Sequence, residues 1–70
     1  MEMEPLTSEA LESAGYDTAS RTLRVQFRNG GLYDYLDVPR EVFALLLAAE
    51  HPWSLWQEHI TSTYEYRRLE

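Results

Sequence analysis

Residues 21–38 read RTLRVQFRNGGLYDYLDV, two alternating runs separated by Asn29-Gly30-Gly31. In the first run Leu23, Val25 and Phe27 alternate with Arg24, Gln26 and Arg28, the period-two pattern of a strand with one apolar and one polar face. Asn-Gly is a strong hairpin signal, so the second run is predicted to return antiparallel to the first. Opposed residues of such a hairpin share a face, and a one-residue slip moves every side chain of the returning strand to the other face. A two-residue loop at Asn29-Gly30 would set Tyr33 opposite Gln26 and Tyr35 opposite Arg24. The tyrosines would then form an exposed aromatic and guanidinium platform suited to stacking unpaired bases. A three-residue loop, Asn29-Gly30-Gly31, with a left-handed glycine and a bulge, would set Tyr33 opposite Phe27 and Tyr35 opposite Val25, facing the core.

Asp34 bears on this choice. With the tyrosines outward it would lie mid-strand on the buried face between Leu32 and Leu36, where an unpaired carboxylate is costly. With the tyrosines inward it is solvated beside the arginines of the neighbouring strand. Leu32 and Leu36 then become partly exposed, which single surface apolar residues tolerate. The inward arrangement is favoured, with rings on the helices and hydroxyls at the rim.

The chain has 70 residues, enough for one domain that buries about 60% of its unfolded surface. It has no cysteine, so neither disulfides nor a cysteine-ligated zinc can staple the core. Nine aromatic residues, five Tyr, two Trp and two Phe, are the main supply of buried area. MEMEPLTSE is acidic and interrupted by Pro5, so it reads as a frayed arm, with residues 1–7 disordered. ALESAGYD is a strand candidate ending in a turn around Asp17–Ser20. Pro39 suits a first helical position, and PREVFALLLAAE sets Val42, Phe43, Leu46 and Ala49 on one face. Pro52 ends that helix. Ser54 and Gln57 stand as a capping box for a second helix that aligns Trp56, Ile60 and Tyr64. YEYRRL alternates as a final edge strand.

The expected fold is therefore α+β: a small antiparallel sheet of three to four strands around the central β-hairpin, packed on one face by two helices over roughly 39–50 and 54–63. Residues 8–70 make the single domain. No basic, apolar leader and no bilayer-length apolar run is present, so a cytoplasmic protein without membrane contact is expected.

Formal net charge is −6, which argues against a polyanionic partner because nucleic-acid affinity is dominated by phosphate neutralisation. The distribution changes that reading. Glu2, Glu4, Glu9, Glu12 and Asp17 precede the first base, and the remaining seven acids nearly balance six arginines. The body of the domain is close to neutral. The absence of lysine is compatible with planar, bidentate contacts to carboxylate or phosphate, but genomic base composition produces the same bias and stands ahead of it as the cause.

GYD at 15–17, LRVQF at 23–27, Gly30, YDY at 33–35, VP at 38–39, LLAA at 46–49 and YEYRRL at 64–69 together resemble the KTSC domain family, over roughly residues 8–69. The resemblance implies a short module of the kind found at the C-terminus of some lysyl-tRNA synthetases and as stand-alone bacterial proteins. It implies membership of a family without an established activity, and through the synthetase association it implies contact with RNA or tRNA. EHPWSLWQEHI departs from the family's pattern between the helices. Trp53 stands where a glycine would fall, Trp56 replaces a phenylalanine and Gln57 an asparagine, while Ile60 is kept.

No coherent set of catalytic groups emerges, so no enzyme is expected. His51 and His59 are eight apart with Pro52 between them and do not make the one-turn pair of a helical metal site; no metal and no small-molecule cofactor are expected. Ser54 lacks a nucleophile-elbow context and serves as a cap. Asp34 and Asp37, three apart on a strand, face opposite ways. Two binding readings follow. The first is an accessory RNA- or tRNA-contacting module using Arg24, Arg28, Tyr33, Tyr35, Arg67 and Arg68, weak because the acidic arm opposes it. The second is a protein-interaction module, binding another protein or itself through an edge strand or the Trp53 region.

Overall fold

The alternation in residues 22–27 forms β3 (Thr22–Phe27), and the run after the glycines forms β4 (Leu32–Tyr35). The structure is a computed structural model and describes residues 1–6, 10–48 and 60–70. Phe27 N–H donates to the Gly31 carbonyl at 2.8 Å and Gly30 N–H to the Phe27 carbonyl at 3.0 Å, so the hairpin loop is Arg28-Asn29-Gly30. Gly30 has φ 103°, a conformation open to glycine and unfavourable for side-chain-bearing residues. The loop has the odd length expected but closes one residue earlier than Asn29-Gly30-Gly31. Parity is kept and the register moves by two: Tyr33 lies opposite Val25, and Tyr35 opposite Leu23. Both tyrosines share the face of Leu23 and Val25.

Asp34 takes the other face, and here the expectation of a solvated carboxylate is corrected. It is 3% exposed. The reason is lateral: β4 is flanked by β3 on one side and by β5 (Tyr66–Arg68) on the other, placing Arg24 and Arg67 opposite Asp34 across the two ladders. Arg24 Nε and Nη2 donate to Asp34 Oδ1 and Oδ2 at 2.8 and 3.0 Å, a bidentate pair that satisfies the buried carboxylate. Leu32 and Leu36 are half-buried on this same face.

The sheet has five strands rather than three or four. β1 (Met3–Pro5) and β2 (Leu11–Asp17) precede the hairpin, and the spatial order β1-β2-β3-β4-β5 follows the chain, every neighbouring pair antiparallel. The two strands that flank this sheet are only three residues long, too short to display an alternation. β1 occupies the segment expected to be a frayed arm, pairing Met3 with Gly15 and Pro5 with Ser13. Proline, which lacks a ladder donor, is tolerated there because the strand is an edge. A Cβ on Gly15 would stand 2.7 Å from Met3 Sδ and 2.8 Å from the Glu2 carbonyl, so the arm lies against β2 only because position 15 has no side chain.

α1 (Arg40–Ala48) follows β4, and residues 60–63 are helical, so the class is α+β. Val42 and Leu46 of α1, Val38 and Ile60 join Leu11, Ala14, Leu23, Val25 and Tyr35 in one buried cluster. Tyr16 ties β2 to α1: its hydroxyl donates to the Val38 carbonyl at 2.5 Å and its ring stacks on Phe43 with centroids 5.6 Å apart. Ala49, the capping pair Ser54 and Gln57, and Trp53 and Trp56 lie outside the described residues. Among the described residues no helix is long and apolar enough to cross a membrane.

Gly15→Ala is expected to cost about 1–3 kcal/mol, the usual range for an overpacked site, and to act first on β1. Chemical denaturation measures the cost. Hydrogen exchange should show faster β1–β2 amides with β3–β4 protection retained; unchanged β1 protection would mean that the arm accommodates the added methyl group.

Candidate functional site

The side chains of one sheet face divide along the strand direction. Towards α1, Tyr35 is 2% exposed and belongs to the buried cluster. Two residues earlier, at the hairpin end, Tyr33 is half-buried and its ring is one wall of an open pocket. The pocket has a volume of about 450 Å³ and is lined by Phe27, Tyr33, Tyr35 and Tyr66 with Arg68, and by Asn29, Gly31 and Thr61. β5 supplies Tyr66 opposite Tyr35 and Arg68 opposite Tyr33.

The rings are in mutual contact. Phe27 meets Tyr33 edge-on at 5.4 Å, Tyr33 and Tyr35 are near-parallel at 6.4 Å, and Tyr66 lies 5.8 Å from each of them. These separations fall in the range where aromatic pairs attract beyond simple burial. The Arg68 guanidinium carbon stands 5.7 Å from the centre of the Tyr33 ring, within cation–π distance. Its Nε donates to the Glu70 backbone oxygen at 3.0 Å. Asn29 Oδ1 accepts from Gly31 N–H at 3.1 Å, which fixes that side chain at the rim. Tyr66 is the most open member of the cluster, 54% exposed.

Of the residues singled out in the sequence, the structure brings Tyr33, Tyr35 and Arg68 together. Arg24 and Arg67 lie on the opposite face, flanking Asp34, and Arg24 is engaged by that carboxylate. The same hydrogen bonds raise the Arg24 pKa further, so the guanidinium stays charged. Arg28 is in the hairpin loop, where its Nη2 donates to the Leu6 carbonyl at 3.2 Å. Trp53 lies outside the described residues. Phe27 and Tyr66 complete the aromatic walls, and neither was singled out. The signal for Tyr66 was present: in YEYRRL it shares a face with Arg68, and pairing with β4 decides that this is the tyrosine face. Among the described residues no group of three or more His, Asp or Glu comes together as a metal site.

An antiparallel five-stranded sheet in chain order, with a helix after its fourth strand and an aromatic pocket at the hairpin end, defines a small α+β domain class. Residues 7–66 match the KTSC domain family model, and the chain belongs to that family. It is 52% identical over 48 residues to a protein of Tsukamurella paurometabola, covering 69% of this chain and 72% of that one. It is 47% identical over 45 residues to an uncharacterised protein of Stutzerimonas stutzeri, covering 64% and 63%. The crystal structure of a KTSC domain protein from Yersinia pestis superposes with a TM-score of 0.90 at 29% identity, covering 99% of this chain and 97% of that one.

Burial, with the Tyr33 and Tyr66 phenols beside it, pushes the Tyr35 hydroxyl from 10.0 up to about 12. In the unfolded chain the phenol deprotonates near its ordinary value, whereas the folded domain holds the proton two units longer. This contribution is complete below pH 10 and is lost as pH rises from 10 to 12, at about 1.4 kcal/mol per unit. A phenolate absorbance titration of the folded domain should contain a step near pH 12 that Tyr35→Phe removes. Stability measured across the same interval should fall less steeply in that variant.

Proposed function

We propose that this domain is a non-catalytic accessory module that contacts unpaired RNA, tRNA included, through the open end of its tyrosine face. One observation carries the reading: the Tyr33, Tyr66 and Phe27 rings and the Arg68 guanidinium converge on one pocket of about 450 Å³. Aromatic rings stack bases of any sequence, and an arginine beside them adds cation–π and phosphate contact. The likeness to lysyl-tRNA synthetase modules points the same way. Tyr35 supports the platform from beneath, whereas Tyr66, exposed at the edge, offers ring surface. Arg24 and Arg67 belong to the other face and are left out of this contact.

A second reading, protein pairing through an edge strand, is favoured by β5, whose three residues are all exposed at one edge of the sheet. The first reading is preferred because the pocket joins aromatic and guanidinium groups that strand pairing does not need.

Single-stranded RNA and tRNA are expected to bind weakly at moderate salt, measured by fluorescence anisotropy or calorimetry. Tyr66→Ala should weaken binding by about 1–3 kcal/mol, the value of one lost stack. Arg68→Gln should weaken it and flatten its salt dependence, while Arg40→Gln, the same charge change on α1, should not. Absence of RNA binding together with concentration-dependent self-association in sedimentation would instead favour pairing through β5.

A further inference from the structure

The open tyrosine pocket is small, and its charge is confined to one corner. We propose that it takes a single unpaired nucleotide, with the base against Tyr66 and Tyr33 and the adjoining phosphate on Arg68, and that recognition does not extend along the strand. The inference rests on the RNA reading above and specifies its ligand.

Volume is the first ground. About 450 Å³ lies towards the lower end of small-ligand pockets, which run from about 300 to 1,000 Å³, and accommodates one base with its sugar rather than a run of them. The walls are the second. Three tyrosines around a space are also the construction that captures quaternary ammonium groups. Here the Arg68 guanidinium already stands over the Tyr33 ring at 5.7 Å, so a second cation meets like charge. A flat π-system carrying an anion fits both features. Arg68 uses Nε in its bond to the Glu70 backbone oxygen, and its Nη groups carry the remaining donors of the fork. Asn29 Oδ1 is taken by Gly31 N–H, which leaves its amide NH₂ as a donor at the rim for an acceptor on the base edge.

The third ground is the placement of the other arginines. Arg24 and Arg67 are on the opposite face, Arg21 pairs with Asp37 at 3.3 Å, Arg28 donates to Leu6, and Arg40 begins α1. Among the described residues Arg68 is the one arginine lining the pocket. Among the described residues, a second phosphate along a bound strand meets no further arginine lining the pocket.

The test compares adenosine 5′-monophosphate with a ten-nucleotide single-stranded oligoadenylate, titrated into the full chain by NMR and expressed per nucleotide. The two affinities should agree within about threefold, and the oligonucleotide's log K against log salt should have a slope near −0.7, the value for one neutralised phosphate on a single strand. Shifts should centre on Tyr33, Tyr66 and Asn29. Tyr66→Ala should lower both affinities about tenfold, and Arg68→Gln should remove the salt slope, with thermal melts showing both variants folded. An oligonucleotide bound more than tenfold tighter per nucleotide, with a slope of several, would overturn the single-nucleotide site and leave the RNA reading intact. Failure of both probes and of single-stranded RNA of mixed sequence would overturn the RNA reading itself.

Discussion

The register of the β3–β4 hairpin is the constraint on which the remaining structure depends. It is held from two sides. At the loop, Gly30 at φ 103° lets Arg28-Asn29-Gly30 reverse the chain with an odd residue count. Mid-strand, Arg24 and Asp34 lie opposite each other and pair through two hydrogen bonds. A slip by one residue would carry Asp34 onto the apolar face without its arginine and turn Tyr33 and Tyr35 outward. A buried ion pair is weak evidence for net stability, because desolvation offsets much of the attraction. Its alternatives, however, leave a carboxylate without a partner in the sheet, and that asymmetry makes the pair a register device.

Once the register is set, the contrast between core and open pocket runs along the strands. Successive side chains on one face are two residues apart, roughly 6.6 Å of strand. The Tyr33 and Tyr35 rings accordingly sit 6.4 Å apart and near-parallel. That single step crosses the edge of the buried cluster. Tyr35 lies with Leu23, Val42 and Ile60 in the core, while Tyr33 and Tyr66 face open space. A Y-x-Y triplet can therefore supply one ring to the core and the next to an open pocket, with no change of face.

How far the sequence reveals this depends on the range of the interaction. The β3 alternation, the odd hairpin loop and the inward tyrosines rest on neighbours within about fifteen residues and are legible. The burial of Asp34 is not, because it follows from β5 closing the other side of β4, more than thirty residues later in the chain. β1 is hidden for a related reason: its acidic, proline-containing sequence reads as an arm, and what admits it to the sheet is a missing side chain at Gly15, whose meaning appears only when Met3 is known to lie opposite. The aromatic pocket is intermediate. Tyr33 and Arg68 are conspicuous in sequence, but Phe27 and Tyr66 read as core and tail until the pairing of β4 with both neighbours collects them.

Net charge carries the same lesson in electrostatic form. A chain at −6 reads as a poor partner for any anion, and Glu4 in the first strand, with Glu2 just before it, contributes to that total. The sheet order separates these acids from the pocket. β1 and β5 stand at opposite edges with three strands between them, a distance of roughly 19 Å at the usual interstrand spacing. Screening at physiological salt has a length of about 8 Å, so carboxylates at one edge have little influence on a guanidinium at the other. Among the described residues, those lining the pocket include Arg68 and no acid, while Glu65 and Glu70 flank β5 at the same edge. The field at the pocket is set by the groups within a screening length of it more than by the net charge of the whole chain.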